Sequence, residues 1–142
     1  SVNGGPGITS WHDAAASCQD AATITVTEAP ADTRDLTVRA ATGVSGTVSS
    51  SLGAISSGSV AFYADCQAYA NDEPAGTSSW MFGLIDSFTI GLPPGTYKAY
   101  VSVWGGPGVD SWHDAATSCD DATSITVPDE PSVTRDLTVR SE

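Results

Sequence analysis

Apolar and small polar residues alternate along much of the chain, with the period of two that marks a strand with one buried face. Residues 43–50 (GVSGTVSS) and 59–66 (SVAFYADC) show this alternation most clearly. Five further segments have the composition of strands, and the first two of them are predicted to pair as a hairpin. These segments are residues 77–84, 87–90, 96–104, 124–127 and 135–140.

Turn residues separate the predicted strands. Residues 92–95 (LPPG) combine proline, which fixes φ, with glycine, which supplies conformational freedom. The alanine-rich residues 111–122 (SWHDAATSCDDA) depart from the alternation, and we expect a short helical turn or a wrapped loop there, capped by Ser111 or Asp110. Seven short strands in about 100 residues predict an all-β fold, a seven-stranded antiparallel β-sandwich.

The N-terminal segment of the chain returns near the C-terminus. Residues 1–41 and residues 102–142 are identical at 27 of 41 aligned positions, at a constant offset of 101 and without a gap. Residues 42–101 occur once. This arrangement predicts a parent protein with tandem repeats, each about 101 residues long.

The repeat divides the chain into two predicted domains. Residues 1–41 are the C-terminal part of a preceding repeat, and residues 42–142 are a complete unit. The first part then holds strands without the rest of their sandwich, so its apolar faces and strand edges need a partner. We therefore expect neighbouring repeats or identical chains as partners, with strand exchange giving swapped dimers or filaments.

Three stretches of the complete unit together resemble a known family. They are the opening GVSGTVSS, the phrase FTIGLPPGTYKAYVSV at residues 88–103, and the ending SWHDAATSCDDATSITV followed by TRDLTV. They look like the carboxypeptidase-regulatory-like, prealbumin-type sandwich repeats of secreted bacterial proteins. The resemblance implies a prealbumin- or immunoglobulin-like sandwich that serves as a spacer or accessory module without catalytic function.

The net charge of the chain limits the classes of partner that it can bind. Seventeen acidic residues stand against five basic ones, which gives a net charge of −12. Nucleic acid is excluded as a partner because binding to phosphates depends on Lys and Arg. No run of about 18 apolar residues is present, so we expect no membrane insertion. A composition rich in Ser, Thr, Ala, Gly and Asp is typical of a secreted or cell-surface protein.

The three cysteines follow the repeat. Cys18 and Cys119 occupy equivalent positions, whereas Cys66 lies in the part that occurs once, so each full repeat has two cysteines. This arithmetic predicts a disulfide between Cys66 and Cys119, with Cys18 free or paired in the preceding repeat. Three cysteines without C-x-x-C spacing do not make a metal site.

Two histidines lie in matching Trp-His-Asp triplets, as His12 and His113. Neighbouring side chains point away from each other, whereas a Ser-His-Asp triad needs three that converge, so we expect a structural role for His113 and no enzyme. The acidic residues 72–73 and 129–130 lack the spacing of a calcium loop. No cofactor or metal is expected, with calcium as the minority alternative.

Four tryptophans and four tyrosines exceed what a core of Val, Ile and Phe needs. Exposed aromatic rings are platforms for sugars or protein partners. The candidates for such ligand-binding positions are Trp80, Trp104, Tyr63 and Tyr100, together with Tyr69. Contact between neighbouring repeats is the alternative, and Asn3 at the position equivalent to Trp104 weighs against an essential role for that tryptophan.

Two functions fit these features. The repeat period, the acidic surface and the lack of a catalytic constellation favour a non-catalytic extracellular repeat module, a structural stalk or adhesive spacer. The aromatic residues instead favour a carbohydrate-binding accessory module of a secreted enzyme, with a glycan or a surface protein as partner.

Overall fold

The computed structural model describes residues 12–15, 17–25, 35–36, 40–81 and 87–142. The chain forms two compact units, Ser1–Ala41 and Thr42–Glu142. The boundary falls where the repeated N-terminal segment ends and the part that occurs once begins. That the first unit is the tail of a preceding repeat stays a prediction.

The described part of the second unit is an all-β sandwich with one short helix, α1 (Cys66–Ala70). A 3-10 turn at His113–Ala115 follows β8. The structure divides the chain more finely than the seven predicted strands. The strands are β1 (Thr42–Gly46), β2 (Val48–Ser50), β3 (Gly53–Ala54), β4 (Ser57–Tyr63), β5 (Gly76–Trp80), β6 (Phe88–Leu92), β7 (Gly95–Gly105), β8 (Ser111–Trp112), β9 (Ile125–Val127), β10 (Ser132–Thr134) and β11 (Leu137–Thr138).

One layer of the sandwich is built on β1 and β2. β10 and β6 flank β1, and β11 and β3 flank β2. The two strands are separated at Thr47, whose N–H and hydroxyl both donate to Asp136 Oδ1, at 2.9 and 3.2 Å. Asp136 itself lies between β10 and β11. The break between β1 and β2 therefore lies beside the break between β10 and β11.

The same layer corrects the prediction of a wholly antiparallel sandwich. β10 runs parallel to β1, and β11 runs parallel to β2. Parallel neighbours need a connection that crosses over rather than a tight turn. Here β9 ends in the other layer, and residues 128–131 carry the chain across before β10 begins.

The second layer is centred on β7. β4 pairs antiparallel along one edge of β7, and β5 continues the sheet beyond β4. β8 and β9 share the opposite edge, where β8 pairs with Tyr100 and Val101, and β9 pairs with residues 95–97. The register skips Trp104, because Gly58 is opposite Val103 and Ser57 is opposite Gly105. A bulge at this point leaves Trp104 without a cross-strand partner.

The hydrophobic core lies between the two layers. Phe62 of β4 contacts Phe88 of β6 across the sandwich, with ring centroids 5.9 Å apart. Val44, Val101 and Leu137 are also fully buried. The alternation seen in the sequence is thus a true inward face, since burial alternates along β1, β4 and β7.

The predicted hairpin of residues 77–84 with residues 87–90 is wrong for the strands that the structure describes. β5 pairs with β4 and β6 pairs with β1, so the two strands belong to different layers. The side chain of Ser78 links them, since its hydroxyl donates to Thr89 O at 3.0 Å and accepts from Thr89 N at 3.3 Å. Residues 82–86 lie outside the described residues.

Candidate functional site

Cys66 and Cys119 form the predicted disulfide, with their Cα atoms 5.7 Å apart. Cys18 is free and exposed. The alternation predicted Cys66 as the end of a strand, but β4 ends at Tyr63 and Cys66 instead begins α1. Asp65 caps this helix, because its carboxylate accepts the Ala68 N–H at 2.7 Å. An Asp before an alanine-containing segment is the sequence signal that would have indicated the helix.

Four aromatic rings pack beside the disulfide, and we call them the aromatic cluster: Tyr63, Tyr69, Tyr100 and Trp112. The rings of Tyr69 and Trp112 pack edge to face with their centroids 4.7 Å apart, and the centroids of Tyr100 and Trp112 are 5.2 Å apart. The ring centroids of Tyr63 and Tyr69 are 5.2 Å apart, and their planes meet at 83°. Edge-to-face contacts of this kind stabilise by about 0.5–1.5 kcal/mol each beyond the area that they bury.

The disulfide explains how α1 contributes to the aromatic cluster. A helix of five residues is too short to be stable by itself in water. The bond from Cys66 to Cys119 fixes its first residue, and Tyr69 lies three residues further on, nearly one turn along the helix. Cys119 and Ala122 are buried together with Tyr63 and Trp112 in one packed group. The bond and the rings therefore stabilise the same corner of the sandwich.

The aromatic cluster has acidic surroundings. Burial raises the pKa of Tyr63, and the carboxylate of Asp72 raises it further. Burial also raises the pKa of Tyr100, with Asp110 as the next cause. Both phenols therefore stay protonated at neutral pH. The side chain of Lys98, on β7, donates a hydrogen bond from Nζ to the carbonyl of Ala122.

The predicted ligand-binding residues differ widely in exposure. Trp104 is 59% exposed, and Tyr69 is 43% exposed. Tyr100 is half-buried, and Tyr63 is 6% exposed because it lies beneath the other rings of the cluster. The structure thus brings Tyr63 and Tyr100 together and leaves Trp104 apart from them, at the bulge of β7.

Trp80 does not face solvent, and its placement as a surface ligand-binding residue is wrong. It is 1% exposed, and its Nε1 donates to Ile55 O at 3.1 Å. Trp80 is opposite Gly58 in the β4–β5 pair, and a Cβ at position 58 would lie 3.1 Å from the indole ring and 2.5 Å from Ser102 O. The missing side chain at Gly58 therefore makes room for the indole in the core.

The His-Asp pair at residues 113–114 is held by separate structural bonds. His113 Nδ1 accepts the N–H of Thr138 at 3.2 Å, and Asp114 Oδ2 accepts the hydroxyl of Thr123 at 2.7 Å. Burial lowers the pKa of His113, and the neighbouring Asp114 opposes this effect only in part. The two side chains thus bond to different partners.

Neither predicted cap holds the 3-10 turn at His113–Ala115. Ser111 Oγ instead accepts the N–H of Arg140 at 3.0 Å, and Asp110 Oδ1 accepts the N–H of Val103 at 2.7 Å. Asp110 therefore bonds to β7, and Ser111 bonds to the backbone that follows β11.

The two copies of this segment share one local structure. Asp13 and Ala14 have φ of 62° and 59°, and the equivalent Asp114 and Ala115 have φ of 66° and 57°. Two successive non-glycine residues in this left-handed region are uncommon. The turn that follows also recurs, since Ser17 donates to Asp20 at 2.8 Å and Ser118 donates to Asp121 at 2.7 Å.

A cleft of about 550 Å³ lies elsewhere on the second unit. Serine hydroxyls and Arg140 line it, with the buried Val139 among its walls. Two of these hydroxyls bond each other, Ser51 to Ser141 at 3.0 Å. No residue of the predicted aromatic site lines this cleft.

Among the described residues, no group of three or more His, Cys, Asp or Glu side chains is arranged to hold a metal ion. In the same part of the chain, none of the helices is long and apolar enough to cross a membrane. The disulfide indicates folding in an oxidising compartment.

No protein-family model and no curated protein matches this chain. Among solved structures, it is similar to the crystal structure of a DUF3823 family protein from Parabacteroides merdae, at 18% sequence identity and a TM-score of 0.46. The similarity covers 72% of this chain and 47% of that protein, so the chain spans about half of its length. A similarity at this level carries no functional inference.

Proposed function

We propose that this chain is a non-catalytic extracellular repeat module of a bacterial surface or secreted protein, which acts as a structural stalk or adhesive spacer. The observation that carries the proposal is the repeated turn. Asp13 and Asp114 share the same uncommon backbone conformation, although they belong to different compact units. A motif that keeps its local structure in two copies is the expected behaviour of tandem repeats.

The disulfide and the charge support an extracellular location. Disulfides persist in secreted and surface proteins and are rare in reducing compartments. The bond from Cys66 to Cys119 closes a separation of 53 residues, which include the central strand β7. A net charge of −12 keeps repeated modules soluble and apart. The sandwich is proposed to be of the prealbumin type, on the resemblance of its sequence.

The chemistry of the His-Asp pair supports a non-catalytic module. Nδ1 of His113 is engaged by the backbone of Thr138, and the carboxylate of Asp114 is engaged by Thr123. A general base needs a ring nitrogen within reach of a substrate proton and an orienting group on the other nitrogen. Here the carboxylate of Asp114 accepts a hydrogen bond from Thr123 and none from the ring of His113.

Force spectroscopy tests the structural role. In the oxidised protein, the residues between Cys66 and Cys119 cannot extend under tension, whereas reduction releases them. Unfolding of the second unit should give a distinct force peak, and reduction should lengthen the extension after it by roughly 170–190 Å, at 3.3–3.6 Å per residue for a separation of 53 residues. Cys18→Ser should leave both the unfolding force and the increase in extension unchanged. Smooth extension without a peak would contradict a stalk that carries tension.

A carbohydrate-binding module is the second candidate, and the exposed rings favour it. Tyr69 and Tyr100 present aromatic surface at one corner, and Trp104 presents another at the bulge. A glycan array with the wild-type chain, Tyr100→Ala and Trp104→Ala distinguishes the two functions. Met81→Ala is the matched control, because Met81 is also exposed, at 56%. Selective sugar binding that is lost in either aromatic variant and kept in the control would replace the stalk with this function.

A further inference from the structure

The repeated C-terminal segment supplies edge strands to both layers of the sandwich. We call residues 106–142 the closing segment and residues 42–105 the body. Within the closing segment, β8 and β9 lie along the edge of β7, β10 lies along β1, and β11 lies along β2. Each of these four strands is terminal in its sheet or shares the outer edge of β7. The closing segment thus completes a body that is otherwise made of residues 42–105.

Residues 5–41 repeat the closing segment, and we call them the N-terminal copy. The two differ at 13 of 37 aligned positions, and every one of these differences falls where the closing segment is exposed or only partly buried. All nine buried positions of the closing segment have the identical residue in the N-terminal copy. These positions are Gly108, Ser111, Trp112, Cys119, Ala122, Ile125, Val127, Leu137 and Val139.

The side chain that bonds Thr47 of the body, and the residue that lies against Gly46, are also kept in the N-terminal copy. Asp136, which accepts both hydrogen bonds from Thr47, corresponds to Asp35. Arg135, whose backbone carbonyl approaches Gly46 so closely that a Cβ there would lie 2.0 Å away, corresponds to Arg34. Three other contacts with the body change, since Asp110, Val133 and Ser141 correspond to Thr9, Asp32 and Ala40. The N-terminal copy therefore keeps every residue of the buried face that fits a body and differs at the margin of that face.

We infer that the N-terminal copy is a closing segment for the body of a second copy of this chain. This inference rests on the proposed function as a repeat module. The N-terminal copy then occupies the same surface of the body as the closing segment, since it has the identical residue at every position that is buried in the closing segment. The body's own closing segment is covalently continuous with β7, so it competes at an effective concentration in the millimolar range. Exchange between chains therefore becomes prominent when the body's own segment is weakened.

Docking of the N-terminal copy brings Cys18 to the position that Cys119 occupies. The Cys18 thiolate then attacks Sγ of Cys66, the bond from Cys66 to Cys119 breaks, and Cys119 leaves as a thiolate that takes up a proton. One disulfide forms as one is lost, so no oxidant is consumed. The product is a covalent link between two copies through Cys18 and Cys66.

Two full-length variants test this inference. The acceptor carries Cys18→Ser, Cys119→Ser and Leu137→Asp, so that Cys66 is its only cysteine and its own closing segment is weakened. Leu137 is fully buried, and a buried, unpaired carboxylate is strongly disfavoured. The donor carries Cys66→Ser and Cys119→Ser, so that Cys18 is its only cysteine. The two are mixed in a buffer of reduced and oxidised glutathione, in which glutathione disulfide is the oxidant.

The expected result is a mixed disulfide between donor Cys18 and acceptor Cys66, seen on a non-reducing gel and located by peptide mapping. The matched control is a donor with Leu36→Asp, because Leu36 corresponds to Leu137, and it should give at least about tenfold less mixed disulfide. A donor with Glu28→Ala, changed at a position equivalent to the exposed Asp129, should react like the original donor. Equal cross-linking by the Leu36→Asp donor would overturn the inference.

Folding of the acceptor gives a second readout. If Leu137→Asp unfolds the acceptor, the original donor should restore its protection from protease and the Leu36→Asp donor should not. An acceptor that keeps Leu137 stays closed and should cross-link more slowly. Absence of both rescue and cross-linking would overturn the inference. A force peak that persists in the wild-type chain would then leave the stalk function intact, whereas selective sugar binding would count against the stalk function alone.

Discussion

Removal of the disulfide should cost the second unit much of its stability. The change is the double variant Cys66→Ser with Cys119→Ser, which opens a loop with a sequence separation of 53. The loop-closure entropy lost from the unfolded chain corresponds to about 4 kcal/mol at 25 °C. For a unit of this size, that loss lowers the melting temperature by roughly 15–30 °C. The aromatic cluster adds to the effect, because Cys119 is buried against Tyr63 and Trp112.

Urea unfolding followed by tryptophan fluorescence measures this difference in the free energy of unfolding. Cys18→Ser is the control and should be neutral within about 0.5 kcal/mol, because Cys18 is exposed and unbonded. Chemical reduction of the wild-type chain should reproduce the double variant. A loss below about 1 kcal/mol would refute the reasoning, since it would mean that the open loop keeps its structure without the bond.

Four further substitutions test single elements, each by urea unfolding. Trp80→Phe should destabilise by about 2 kcal/mol, because it leaves the carbonyl of Ile55 buried without its donor; an unchanged midpoint would contradict this. Gly58→Ala should destabilise by about 1–3 kcal/mol, since its Cβ meets backbone at 2.5 Å. Ala115→Gly should stabilise by up to about 1 kcal/mol through relief of the positive φ, and a loss would argue against strain there. Because the pKa of His113 is lowered, its contribution to the free energy of unfolding is complete above its ordinary pKa of 6.5 and is lost as pH falls through the lowered pKa. His113→Asn should therefore lose less stability than wild type between about pH 7.5 and about pH 5, and equal losses would contradict this.

The sequence could predict the sandwich because burial follows the period of two. Val60 and Phe62 in β4 face the core as the alternation requires, and the layers are all-β. The cysteine arithmetic likewise predicted the bond from Cys66 to Cys119. The first inference uses the order of neighbouring residues, and the second uses the number and position of the cysteines. A single sequence contains both kinds of information in full.

The candidate site was only partly predictable, because exposure depends on neighbours in space. Trp80 and Trp104 are both tryptophans on strands, yet one is fully buried and the other exposed. Trp104 lies on the outward phase of β7, as its alternation indicates. Trp80 is buried because Gly58 on the facing strand makes room for its indole ring, and that cause is not visible from the segment that contains Trp80.

Local chemistry and the repeat were therefore determined by the sequence itself: the strands, the turn that recurs at Asp13 and Asp114, and the equivalence of two segments at an offset of 101. Only the tertiary structure decided that β10 and β11 run parallel to their neighbours, and that Tyr69 on a helix begun at Cys66 completes the aromatic cluster. Strand pairing and ring contacts join residues far apart in the chain, and their geometry depends on how the two layers pack rather than on any local pattern.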